Sequence, residues 1–186
     1  MNKKRCSWVN VDNQLSVAYH DNEWGKPCFD DNKLFEMLVL ESAQAGLSWQ
    51  TILNKRENYR LAFDNFNPEK IACYTDSDIE KLLQNTGIVR NKLKIKSAIN
   101  NANIFLQIQK EYGSFSNYLW QFVDFQPIQN HHEDYTQAPI TTPISDKISK
   151  DLKKRGMKFI GSTIIYAYMQ AIGMVNDHQT DCFKSS

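Results

Sequence analysis

Two groups of residues in this chain have types and spacing that could do chemistry. The first centres on a carboxylate in apolar company. Along residues 31–45, Leu34, Met37, Leu38, Glu41 and Ala45 each have neighbours in the set three or four positions away, the repeat of one helical face. Glu41 continues that apolar stripe, where ionisation is costly unless the group is paired, hydrogen-bonded or turned toward a solvated cavity. Its partner is then either a nearby Arg, Lys or helix N-terminus, or a ligand. Trp49 follows closely, Tyr19 and Trp24 lie in Tyr19-His20-Asp21-Asn22-Glu23-Trp24-Gly25, and Trp8 precedes them. A flat cation between aromatic faces and a carboxylate would gain stacking, cation–π attraction and charge pairing together. The plainer reading makes these rings ordinary core.

The second group is Cys6, His20, His178 and Cys182, the one Cys2His2 set in the chain. The spacing of His178 and Cys182 puts both on one helical face or turn, and two thiolates with two neutral imidazoles suit tetrahedral zinc. Cys6 and His20 have no zinc-finger spacing, and packing is the alternative role for each. A zinc held by all four would have no open position for catalysis.

Helices must position both groups. Only seven Gly and five Pro occur, and apolar residues recur three and four apart. The pattern predicts helices over 31–45, 49–65, 77–84, 92–112, 115–123, 145–155 and 160–172, an all-α fold. Gly46 is suited to end the first and Ser48 to cap the second, Ser77 with Glu80 reads as a capping box, and Gly113 and Gly156 read as helix stops. Residues 130–143, polar with two His and two Pro, read as a surface loop or a connection between lobes. Strand signals are weak throughout.

A chain of 186 residues, 41% of them hydrophobic, can bury a core of its own. It has no apolar run of about 18 residues and no apolar leader at its start, so a soluble, cytoplasmic protein with no membrane partner is expected; a monomer is expected as well. Thiols stay reduced there, which makes Cys6, Cys28, Cys73 and Cys182 core residues or ligands instead of disulfides. A net charge of +1 hides two basic clusters: Arg90, Lys92, Lys94 and Lys96, and then Lys150, Lys153, Lys154, Arg155 and Lys158. Either could meet a polyanion or could be the solvated face of a helix. Around the second, a helix ending in Lys153-Lys154-Arg155-Gly156 is followed by Met157-Lys158-Phe159-Ile160-Gly161 and an apolar helix. Residues 145–173 thus show a helix-hairpin-helix pattern, whose backbone N–H groups can hold a phosphate without reading sequence. An ordinary helical hairpin capped by glycines is the alternative.

Taken together, Cys6-Ser7-Trp8, the stretch Tyr19 to Gly25, and Leu40-Glu41 followed by Gln44-Ala45-Gly46-Leu47-Ser48-Trp49 resemble the 3-methyladenine DNA glycosylase I family. Lys55 to Arg60, Gly87 to Lys92, Lys153 to Gly161 and Val175 to His178 extend the likeness nearly end to end, leaving 122–143 unmatched. At Ser16 the chain departs from it, since a family member has Tyr there. The resemblance implies the helix-hairpin-helix glycosylase fold in a single unit, 1–186, of two helical lobes with the base pocket between them. It implies one structural zinc ion on Cys6, His20, His178 and Cys182, joining the two ends of the chain. It implies a pocket in which Glu41 acts on the extruded base among Trp49, Tyr19 and Trp8.

The implied activity is base excision repair: hydrolysis of the N-glycosidic bond of 3-methyladenine in double-stranded DNA, releasing the free base near the nucleoid. Lys154, Arg155, Gly156, Lys158 and Gly161 would hold the backbone, and Leu47 would wedge into the gap left by the flipped base. Ser162 and Thr163 stand where bifunctional relatives carry a lysine, which implies an enzyme without strand cleavage. Asp177 is expected to orient the ligand His178. The alternative reading is a zinc-stabilised module that binds damaged DNA without catalysis. Glu41 separates the two, because a pure phosphate binder has no need of it.

Overall fold

The computed structural model describes residues 3–185, and its elements are almost all helical. In chain order they are α1 (Gln14–Asn22), α2 (Asp31–Gln44), α3 (Trp49–Ala62), α4 (Pro68–Ala72), α5 (Asp76–Gln84), α6 (Lys92–Tyr112), α7 (Phe115–Trp120), β1 (Ile128–Gln129), α8 (Pro143–Lys154), α9 (Ser162–Ala171) and β2 (Val175–Asn176). Among the described residues, no helix is long and apolar enough to cross a membrane.

Helix α2 is the centre of the molecule. Asp30 caps it by accepting from the Lys33 amide, and every residue from Leu34 to Ala43 is buried. A helix buried on all sides has neighbours on all sides, and α2 packs against α3, α6, α7 and α9. One continuous hydrophobic cluster surrounds it, running in sequence from Cys6 to Cys182. Each of its fully buried side chains, such as Leu34, Leu38 and Phe35, contributes about 1.5–3 kcal/mol relative to exposure.

The helices over 31–45, 49–65, 92–112 and 160–172 form close to where periodicity puts them, and three expectations are corrected. The capping box of α5 uses Thr75 and Asp78, not Ser77 and Glu80. Helix α8 begins at Pro143, capped by Thr142, two residues before the predicted start. The segment 130–143 is not merely a loop: just after β1, which pairs in parallel with β2, a bridge joins His132 to Gln179 and a short 3-10 turn follows at Tyr135–Gln137. These pairings fix the path of the chain into His178. Helices α1 and α4 have no counterpart among the helices that periodicity predicts.

Candidate active site and metal cluster

A cavity of about 370 Å³ opens where α1, α2, α3 and α9 meet. Ser16 and Tyr19 come from α1, Glu41 and Gln44 from α2, Trp49 from the start of α3, and Ala167 and Gln170 from α9; Trp8, Trp24 and Tyr135 complete the wall. The structure thus brings together Glu41, Trp49, Tyr19 and Trp8, four residues far apart in sequence. Tyr19 and Trp49 have ring centroids 5.0 Å apart, and Trp8 meets Trp24 edge-on at 5.0 Å. The indole N–H groups of Trp8 and Trp49 are buried without an acceptor. Buried donors are nearly always satisfied, so two orphans on one wall mark a place prepared for a group outside the chain.

Two buried carboxylates on α2 show what pairing does. Glu36 accepts from Arg56 Nε at 2.7 Å, Arg60 Nη2 at 2.8 Å and Lys33 Nζ at 3.1 Å. Burial works against its charge, but Arg56 and Lys33 outweigh it and hold the carboxyl below the usual range. Glu41 has no hydrogen-bond or ionic partner among the described residues, and burial alone pushes it up to about 8. Arg56, the buried guanidinium of this region, is already engaged by Glu36 and Glu23. No local cation is left for Glu41, and its acceptor capacity faces the cavity.

Sequence reasoning missed Tyr135 and Gln170 on the cavity wall. Tyr135 packs against both Trp8 and Trp24, and it comes from a stretch with no motif to signal it. Gln170 ties the wall to Asp177, which it meets through Nε2 at 2.7 Å. Ser16 does line the cavity, and its hydroxyl accepts the Asn10 amide at 3.0 Å.

Cys6, His20, His178 and Cys182 converge, with their ligand atoms all within 4.8 Å of one another and all four residues buried. His20 Nδ1 bonds Asp21 at 2.8 Å, and Arg5 holds that carboxylate through two of its own donors. His178 Nδ1 lies 2.7 Å from Asn176 Oδ1, while its Nε2 is buried without a partner. Each imidazole is therefore oriented from one ring nitrogen and presents the other to the cluster, as a ligand does. Burial keeps His178 neutral by lowering it to about 4, and pushes the Cys6 thiol up to about 12. Two buried thiols and two imidazole nitrogens brought this close are a donor set that could hold a metal ion. Gly25 has φ +71°, and a Cβ there would lie 2.6 Å from the His178 ring, so the close approach requires glycine.

The expectation that Asp177 orients His178 is corrected, because Asn176 does so. Asp177 is fully buried and instead accepts from Tyr166, Gln170 and Asn130 at 2.6–2.7 Å, with His132 at 3.2 Å. With every oxygen occupied it is a structural hub and not a free base.

The connection between α8 and α9 is clamped from beneath. Asn100 and Asn101 donate to the carbonyls of Gly156 and Lys158 at 3.0 and 2.9 Å, Ser42 to Phe159 at 3.0 Å and Ser149 to Ile160 at 2.7 Å. The amides of residues 159–164 have no acceptor among the described residues. Lys154 and Lys158 are exposed beside them. Arg155 is not free for a phosphate: it binds Asp151 and Glu111 at 2.9 and 2.6 Å and lies over Tyr112 and Tyr118. Leu47 is 40% exposed on the turn between α2 and α3, at the cavity mouth.

Comparison with known proteins agrees with this layout. The profile described as methyladenine glycosylase matches residues 8–185. DNA-3-methyladenine glycosylase 1 of Escherichia coli (strain K12) is 49% identical over 96% of this chain and 95% of its own. DNA-3-methyladenine glycosylase of Haemophilus influenzae is 48% identical over 96% of each. A crystal structure of 3-methyladenine DNA glycosylase I superposes with a TM-score of 0.95 at 51% identity, covering 98% of this chain and 100% of that one. Another solved structure, of 3-methyladenine DNA glycosylase I from Staphylococcus aureus and concerned with 3-methyladenine recognition, has a TM-score of 0.93 at 37% identity over 98% of this chain and 96% of that one. With a profile spanning nearly its whole length and relatives near one-half identical end to end, the chain belongs to the methyladenine glycosylase family.

Proposed function

We propose that the protein hydrolyses the N-glycosidic bond of 3-methyladenine in alkylated duplex DNA, releasing the base and leaving an abasic site. The observation that carries this reading is Glu41, a buried, unpaired carboxylate in an aromatic cavity. N3-methylation gives adenine a positive charge. When the bond to C1′ breaks, its electron pair neutralises the ring, so the base leaves without being protonated, and water adds to the sugar carbon. The protein's work is to extract the nucleotide and select it: Trp49 and Tyr19 stack on the base, and Glu41 accepts from its edge and balances its charge. No lysine lines the cavity among the described residues, in keeping with a glycosylase that forms no Schiff base. A purely DNA-binding role would leave Glu41 without a purpose. Release of free 3-methyladenine from alkylated DNA tests the proposal, and intact lesions after incubation would refute it.

The α8–α9 connection is read as a helix-hairpin-helix grip on the backbone. Its unused amides are free to hold a phosphate, with Lys154 and Lys158 exposed nearby. A Cβ at Gly161 would meet nothing within 4 Å, so the backbone there is open to a group from outside the chain. Lys154→Ala with Lys158→Ala should weaken binding to damaged and undamaged duplexes by similar factors and lower the salt slope by about 2. Titrations at several salt concentrations check it.

Zinc is the ion proposed for Cys6, His20, His178 and Cys182. The four would complete its coordination and leave it a structural role joining the chain ends. Within the pocket, Trp49→Ala is expected to weaken retention of the free base by about 1–3 kcal/mol, the value of one base–aromatic stack, with duplex binding unchanged. Calorimetry with 3-methyladenine measures this.

A further inference from the structure

We propose that Lys94 is a positioning residue for base extrusion, its ammonium fixing the Ala45–Ser48 turn that carries Leu47 against the α8–α9 connection. Its place is otherwise odd. It stands in the first turn of α6, where a cation opposes the helix dipole and where no acidic residue offsets it. Its ammonium is partly buried and donates to the carbonyls of Ala43 and Ala45 at 2.9 and 2.6 Å. Those are orphan acceptors at the end of α2, whose last turn has no basic residue of its own. Lys94 thus supplies from α6 the cation that the end of α2 lacks.

Immediately beyond those carbonyls the chain forms the cavity lip: Gly46 at φ +77°, exposed Leu47, and Ser48 capping α3. One turn before them, Ser42 braces the carbonyl of Phe159. The same helix end therefore holds the lip on one side and the backbone grip on the other, and Lys94 locks it. Of the basic cluster 90–96, Lys92 pairs with Glu80 at 3.2 Å. Lys94 is the member turned inward, a role that contact with a polyanion does not explain.

The inference rests on the reading of excision from duplex DNA, and the experiment separates the two. In Lys94→Met the aliphatic stem remains and the donors are lost. Misplacing the lip should slow single-turnover excision from alkylated duplex by about 10–100-fold. Affinity for free 3-methyladenine should stay within about twofold, because Glu41 lies inside α2 and Trp49, although next to the turn, is held by the cap of α3 itself, where Ser48 accepts from the Thr51 amide. Tm should fall by less than about 4 °C. Duplex excision at the wild-type rate, or equal losses in duplex excision and free-base affinity, would overturn the proposal. Leu47→Ala, run beside it, tests the wedge alone: a neutral result denies Leu47 that role and leaves the Lys94 result to stand on its own three readouts. Should Lys94→Met not fold, Lys94→Gln, whose amide still donates to one carbonyl, is held to the same split.

Discussion

Cys182→Ser is expected to abolish stoichiometric zinc binding and to lower Tm by more than about 10 °C, which follows from a loss of several kcal/mol in a domain where each is worth about 2–4 °C. The magnitude comes from where the ligands sit. All four are buried, and their polar atoms meet one another instead of water. Within the chain His178 Nε2 has no partner among the described residues, and both thiols are buried. Serine keeps the volume but offers a weak ligand, so the remaining three cannot hold the ion as tightly. Metal analysis and thermal melts with and without chelator check the result. A variant that keeps one zinc per chain, or melts with the wild type, would deny the ion its structural role at these four residues.

Glu41→Gln is expected to act in opposite directions on function and stability. The carboxyl is raised from its ordinary 4.5 to about 8 by burial. The folded protein therefore holds a proton that the unfolded chain releases, and stability contributed below pH 4.5 is lost as pH climbs to 8. The loss is on the order of 3–5 kcal/mol by linkage. Glutamine cannot ionise, so the variant should melt higher than wild type at pH 8 and close to it near pH 4.5. For the reaction, the free enzyme must give up that proton to pair with a cationic base. The kcat/KM of the wild type should rise from pH 6 to about 8 and then level, while the variant is flat and lower at the plateau. The charge on the base fades as the bond breaks, so the loss should fall more on binding than on the chemical step. Melting curves and single-turnover rates across pH measure both arms. A variant matching wild type in kcat/KM at pH 8 would make the carboxylate structural.

The legible parts of the molecule are those where one local rule acts alone. Helix α6 is readable at 92–112 because its apolar period is long and Asn91 and Gly113 bound it. Glu41 is legible because one polar residue breaks an apolar stripe. The hidden parts are decided by tertiary contact. Helix α1 is short, and its buried positions are Ser16, Tyr19 and His20, so the residues that serve the sites also erase its apolar period. Two overlapping capping patterns exist near residue 76, and only the backbone selects Thr75 with Asp78. Strands β1 and β2 have two residues each and pair across 47 positions, beyond any local signal. Arg155 and Asp177 have plausible roles by type, until Glu111, Tyr166 and Asn130 arrive from elsewhere in the fold to occupy them.

The Cys/His cluster also has a consequence in time. Its first members, Cys6 and His20, are synthesised early, and its last, His178 and Cys182, lie more than 150 residues later. At about 5–20 residues per second, that interval is roughly ten to thirty seconds on the ribosome. Throughout it the N-terminal pair has neither its partners nor the β2 segment that presents His178. Closing the cluster is therefore a late event in the life of each molecule, and a product cut short before residue 178 has no means of reaching it. The wall of the cavity nearest the cluster, where Trp8 packs against His20, therefore meets its last neighbours, His178 and Cys182, only in finished chains.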